Sequence, residues 1–300
     1  MKVAKRFWVA ALAICLSAFC SVAAEASAAF TTITYPDAVS TFAYGINPAG
    51  DIVGAYVDAA GRRHGFVLRN GEFSDFDWPG STWTEGWGIN PQGEIVGQYG
   101  WFENGFNTIH GFLLRDGIFS PMDAPGQPNT MLVKISPTGA IVGCYHVGTP
   151  TGATILDSMY GFIWNAEGVA SHPTNRSMDN GVNPAGDVVG IYFSPANGRV
   201  EWSYLVRDGA ITWFLFPGSV VTQAWDISPN GTIVGFHRVD MTAPAVFHGF
   251  VMADGVMTSF DVPGATETRA YGVNARGDVV GYYRDATGIH GFLLSPRKAK

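Results

Sequence analysis

One eight-residue pattern, Asn/Ser-Pro-x-Gly-x-Ile/Val-Val-Gly, recurs six times and constrains this 300-residue chain more than any other feature. Its copies begin at Asn47, Asn90, Ser136, Asn183, Ser228 and Asn274, at intervals of 43 to 47 residues, with Ala275 in place of proline in the last. A period of that length marks an architecture of stacked units, each burying its apolar face against its neighbours.

The spacing predicts four short strands per unit. A first strand ends at the repeated Asn/Ser, and a Pro/Gly turn leads to a second, as in Asp51–Tyr56. A third opens at His64, His110, Tyr160, Trp202, His248 and His290. Turns follow at Asn70-Gly71, Asp116-Gly117, Glu167-Gly168, Asp208-Gly209 and Asp254-Gly255, and Asn-Gly and Asp-Gly supply the positive φ of a tight hairpin. A fourth strand starts at Phe73, Phe119, Ile211 and Met257, with a degraded copy near Val169. Helical periodicity is absent after the N-terminal segment.

Four strands every 43 to 47 residues is the signature of a propeller blade. The expected fold is therefore all-β, a six-bladed propeller over residues 29–300 with repeats starting near 41, 84, 130, 177, 222 and 268. The last repeat stops after its third strand, at Leu294, while Phe30–Ala38 matches the fourth-strand segment that begins at Phe73. The N-terminal strand is thus expected to close the ring by pairing into the last blade, with His290 opposite Thr34.

Residues 1–28 read as a secretory signal peptide. Lys2, Lys5 and Arg6 precede an apolar run from Phe7 to Cys20, and Ala26-Ser27-Ala28 offers a cleavage site. That run is too short for a good membrane span. Export to the periplasm or beyond is expected. Cys144 would then be the lone cysteine, read as a small buried apolar residue. A net charge of −7 without a basic run gives no footprint for nucleic acid.

The recurring histidines invite a metal, but equivalent atoms of neighbouring blades lie too far apart to share one ion. No cofactor or metal is expected. Hairpin arithmetic instead sets His64 against Asp77, His110 against Asp123 and His248 against Asp261, as cross-strand structural pairs. In the fourth unit both partners are lost together, to Trp202 and Leu215. The glycine that closes each repeat, Gly54 and its equivalents, is expected where blades approach closely.

Shared positions build the scaffold, so a binding site should use positions that differ. Glu85, Lys134, Asp179, Asp226 and Arg269, on or near the innermost strand, are the candidates for a polar channel lining. The loops between second and third strands vary in length and form the natural binding rim. One of them carries Trp101, Phe102 and Phe106, which could stack on a sugar or fold over the blade edge. Arg276-Gly277-Asp278 occupies the repeated turn and reads as turn chemistry.

The cycle His-Gly-Phe-Leu-Leu, Asp-Gly, Phe, Asp, Pro-Gly, Gly-Ile-Asn, Ile-Val-Gly resembles the extracellular HAF repeat of bacterial secreted proteins. Glycine stands at the centre of the name-giving triplet here, and two units lack its histidine. The resemblance implies export and a propeller-like fold, and assigns no catalytic residue. The expected function is a non-catalytic binding propeller whose rim meets a glycan, peptide or cell-surface ligand. The alternative is a propeller enzyme of lactonase, glycan hydrolase or lyase type, which would need its channel carboxylates to converge.

Overall fold

A computed structural model describes residues 29–103, 106–127, 129–147, 156–195 and 200–296. Residues 1–28, read above as an export signal, lie outside the described residues. Every regular element described is a strand, and no helix is long and apolar enough to cross a membrane among the described residues.

After β1 (Ala29–Ile33), the strands follow the repeat. The first unit holds β2 (Ser40–Ile46), β3 (Ile52–Val57), β4 (Arg63–Arg69) and β5 (Glu72–Phe76). The second holds β6 (Trp83–Ile89), β7 (Ile95–Glu103), β8 (Phe106–Arg115) and β9 (Ile118–Pro121). The third holds β10 (Asn129–Ile135), β11 (Ile141–His146), β12 (Met159–Asn165) and β13 (Gly168–Asn175). The fourth holds β14 (Ser177–Val182), β15 (Val188–Phe193), β16 (Glu201–Arg207) and β17 (Ala210–Phe214). In the fifth are β18 (Val221–Ile227), β19 (Ile233–Arg238), β20 (His248–Ala253) and β21 (Val256–Phe260). The last comprises β22 (Glu267–Val273), β23 (Val279–Arg284) and β24 (Ile289–Ser295).

Within each unit consecutive strands pair antiparallel. β1 supplies the last unit's missing fourth strand, in a register running from Ala29 opposite Ser295 to Ile33 opposite Gly291. One residue further, the Thr34 hydroxyl meets His290 Nδ1 at 3.4 Å. Phe30 packs against Phe260 and Phe292, and Ile33 is buried. First strands touch in succession: β2 with β6, β6 with β10, β10 with β14, β14 with β18, β18 with β22, and β22 with β2.

Apolar clusters join neighbouring units. Val53 and Val67 of the first unit pack with Ile89, Ile95 and Phe112 of the second, and Val280 of the last packs with Ala43 and Ile46 of the first. A lone unit would expose half of such a cluster, which explains why the pattern is repeated rather than single.

Local chemistry accounts for the repeated motif. Asn47 Oδ1 accepts the backbone N–H groups of Gly50 and Asp51 at 3.0 and 2.9 Å, and Ser136 Oγ accepts that of Ala140 at 3.0 Å. The Asn/Ser side chain therefore caps the turn, while Gly50 adopts φ 98°. At the hairpins, Asn70 and Gly71 have φ 50° and 83°.

One expectation needs correction. The glycine that ends each motif copy is required within its own unit, not between units: a Cβ on Gly54 would lie 1.9 Å from the Phe42 carbonyl oxygen. Close approach between units falls instead at Gly45, where a Cβ would meet the Trp87 carbonyl oxygen at 2.7 Å.

Candidate functional site

The innermost strands carry a β-bulge each, for instance between Ala43 and Gly45 and between Ala224 and Asp226. The bulged residues are Tyr44, Trp87, Val133, Asn180, Trp225 and Tyr271, a row that sequence reasoning missed although it lies three residues before each repeated Asn/Ser. Tyr44 stacks on Trp87 at 4.0 Å, Trp87 on Trp225 at 5.6 Å, and Trp225 meets Tyr271 at 4.7 Å. Rings fill the middle of the molecule.

The five candidates for a channel lining do not share one pocket. Lys134 and Asp226 meet across the centre, with Lys134 Nζ 3.4 Å from Asp226 Oδ2. Lys134 also donates to the Tyr44 carbonyl at 2.7 Å, and Asp226 Oδ2 accepts the Val273 N–H at 3.0 Å. Four units are tied together by this pair. Burial pushes the lysine pKa down and the aspartate pKa up, and each charge opposes the shift of the other. The pair floors a cavity of about 50 Å³ among the repeated prolines.

Asp179 lies between the third and fourth units instead. Its carboxylate accepts a short hydrogen bond from Tyr204, and it sits against Gly161 and near Cys144. Tyr204 stands where the other units have phenylalanine, and Asp179 stands where the first, fifth and sixth have Ala43, Ala224 and Ala270. The two substitutions form one couple. Burial raises the Asp179 pKa from 3.8 to about 7, with the Tyr204 bond opposing. An acid with a raised folded-state pKa contributes stability at low pH that is lost as pH rises from about 4 through about 7. Urea titrations should therefore show the protein losing roughly 2–3 kcal/mol over that range, a slope the double variant Asp179→Ala/Tyr204→Phe should flatten. An unchanged slope would remove Asp179 as its source.

Cys144 is buried, its thiol 3.7 Å from Met131 Sδ, and burial pushes its pKa up. Among the described residues no group of three or more His, Cys, Asp and Glu side chains is placed to hold a metal ion.

The histidines sit on the outer strands. His64, His110 and His248 bond Asp77, Asp123 and Asp261 through Nδ1 at 2.7, 2.7 and 2.8 Å. His64 and His110 also stack on Tyr56 and Tyr99. Replacing His110 with alanine should cost about 1 kcal/mol in urea unfolding; a loss above about 3 kcal/mol would show a larger role than one cross-strand pair.

Glu85 and Arg269 face the side of the second-to-third strand loops, each at a different junction. Arg269 pairs with Glu267 and lies 3.9 Å over the Phe247 ring. Glu85 is buried, bonds Arg63 of the first unit, and accepts the Trp87 indole N–H at 2.9 Å. Here a cleft of about 490 Å³ opens between the first and second units, lined by Arg62, Arg63, Thr82, Trp83 and Glu85 with Gly61 and Ile109. The side chains of Arg62 and Arg63 are 43% and 41% exposed beside an indole, with Arg62 donating to the Ser81 carbonyl at 3.2 Å and Arg63 paired with Glu85.

No other unit repeats that set. Trp83 corresponds to Ser40, Asn129, Arg176, Val221 and Glu267, seven residues before each repeated Asn/Ser. Comparing that row between units is the sequence signal that would have found the cleft.

Trp101 does not stand out as a platform. Its indole N–H donates to the Gly80 carbonyl at 2.8 Å, and its ring packs edge-on against Tyr99 at 5.5 Å. The ring is folded over its own unit because that bond and that contact satisfy both its polar and its apolar surface. The side chains of Phe102 and Phe106 lie outside the described residues.

These features define an all-β protein of propeller-like architecture, and solved structures agree. A protein of unknown function from Dyadobacter fermentans is similar over 89% of this chain and 98% of its own, at TM-score 0.54 and 13% identity. Aleuria aurantia lectin in complex with Fucα1-6GlcNAc is similar over 89% of this chain and 98% of its own, at TM-score 0.50 and 10% identity. AofleA from Arthrobotrys oligospora is similar over 90% of this chain and 89% of its own, at TM-score 0.53 and 12% identity. No protein-family model matches the chain, and no curated protein does.

Proposed function

We propose that this chain is an exported, non-catalytic glycan-binding protein, built as a six-bladed propeller of the extracellular HAF-repeat kind. Each four-stranded unit is a blade, and β1 completes the sixth and closes the ring. The unbroken cycle of contacts among first strands and the register of β1 on β24 support that reading. Export rests on residues 1–28, and N-terminal sequencing of the secreted protein should begin at Ala29.

The observation that carries the binding reading is the cleft between the first two blades. It combines a flat indole, which offers an apolar face, with two half-exposed arginine side chains whose remaining N–H groups can donate to hydroxyls. Glu85 holds Arg63 in place from beneath. Such a mixture of a ring and convergent polar groups suits a sugar, which presents both kinds of surface. The lectin among the structural neighbours binds a fucosylated disaccharide on a similar scaffold. Among the described residues that line this cleft Glu85 is the one carboxylate, and it is paired with Arg63.

A glycan array probed with the labelled mature protein tests the reading. A defined set of glycans should bind, and the Arg62→Ala/Trp83→Ala variant should lose that set. An array without signal, or one unchanged in the variant, would overturn the proposal and leave a peptide or surface ligand in its place.

A further inference from the structure

The fourth unit departs from the others at two neighbouring surface positions. Trp202 stands where the others have His64, His110, Tyr160, His248 and His290. Trp213, opposite Tyr204, stands where the fourth strands have Thr32, Asp75, Pro121, Ser171 and Ser259. At three of those positions a hydroxyl latches the second-strand ring: Thr32 to Tyr283 at 3.0 Å, Ser171 to Tyr145 at 2.8 Å, and Ser259 to His237 at 2.8 Å. Five units thus fold without either indole, and the scaffold does not require them.

Trp213 is nevertheless held firmly. It meets Tyr192 at 5.4 Å and Tyr204 at 5.5 Å, both edge to face, and it remains 42% exposed. Tyr192, Ser194, Trp202 and Trp213 line a groove of about 330 Å³. The groove adjoins the second-to-third strand loop of its unit, so it opens near the same face as the cleft between the first two units.

The lining selects its occupant. Three rings offer broad dispersion contact, and polar groups are limited to two indole N–H donors and the Tyr192 and Ser194 hydroxyls. A peptide strand entering the groove would bring more backbone N–H and C=O groups than these few side chains can satisfy. Among the described residues that line the groove none is charged, and the chain's net charge of −7 disfavours anionic polymers. A pyranose with all its substituents equatorial differs from both: its hydroxyls point outward to water, and its two faces carry only axial C–H groups.

We propose that this groove is a second sugar-contacting site, one that stacks the ring faces of an unbranched β-1,4-linked glucan or N-acetylglucosamine chain. It extends the glycan-binding reading above and rests on it. Two sites on one rigid face would let a single polysaccharide engage both, raising avidity without new contacts.

Cellohexaose and chitohexaose, titrated separately while intrinsic tryptophan fluorescence is followed, test the proposal. The wild type should bind at least one of them, and Trp213→Ser should weaken that binding at least tenfold. Serine occupies the same ladder position in two other units, and circular dichroism checks that the variant is folded. The Trp83→Ala variant separates the two sites. If Trp213→Ser loses the hexaose and Trp83→Ala retains most of it, the groove is confirmed whatever the cleft binds. If Trp83→Ala loses it while Trp213→Ser does not, the cleft reading stands and the groove is overturned. Failure of the wild type to bind either hexaose, or capture of proline-rich peptides in their place, also overturns it.

Discussion

A chain lacking Ala29–Ile33 should lose roughly 4–6 kcal/mol of stability, the combined effect of two apolar anchors and one strand ladder. Phe30 packs between Phe260 and Phe292, Ile33 is buried against the first unit, and all five residues pair with β24. Without β1 the last unit keeps three strands and exposes the edge of β24, an open template for aggregation. Urea unfolding measures the loss, and adding a synthetic peptide of residues 29–38 should recover part of it. A truncated chain as stable as the parent would mean that the pairing of β1 with β24 contributes nothing to stability.

Lys134→Met is expected to cost about 3–5 kcal/mol, because it leaves Asp226 charged, buried and without its cation. The side chains are 8% and 10% exposed, so solvent cannot take over the pairing. Replacing both partners, as in Lys134→Met/Asp226→Leu, should recover most of the loss, since an apolar couple carries no desolvation penalty. Thermal unfolding of the single and double variants decides the matter. A single variant within about 1 kcal/mol of wild type would show that the pair is not buried as described.

The repeat made the scaffold readable. Turn residues, the hairpin register and the orphan strand at the N-terminus are local signals, and each depends on a few residues at fixed offsets. The same arithmetic set His64 against Asp77 and His290 against Thr34, and these side chains do meet. The centre was less legible because a β-bulge shifts the register by one residue in each first strand. Counting back in steps of two from Asn47 therefore misses Tyr44, whose ring helps to fill the middle. The bulge also explains Asp179, which falls on the face turned toward the neighbouring unit while Lys134 and Asp226 point to the centre. The cleft was hidden for another reason. It is assembled from the end of one unit's loop and the start of the next unit's first strand, and no single repeat contains it.

On the proposed reading, side chains repeated in most units build the scaffold, and the solvent-facing ones peculiar to one unit, such as Trp83, contact ligand. The most direct measurement is a calorimetric titration of the strongest array glycan into two single variants. Trp83→Ala removes a side chain found in one unit, and His248→Ala removes one found in four. Trp83→Ala should weaken binding at least tenfold, and His248→Ala should bind as wild type with slightly lower stability. Full affinity in Trp83→Ala with loss in His248→Ala would contradict it.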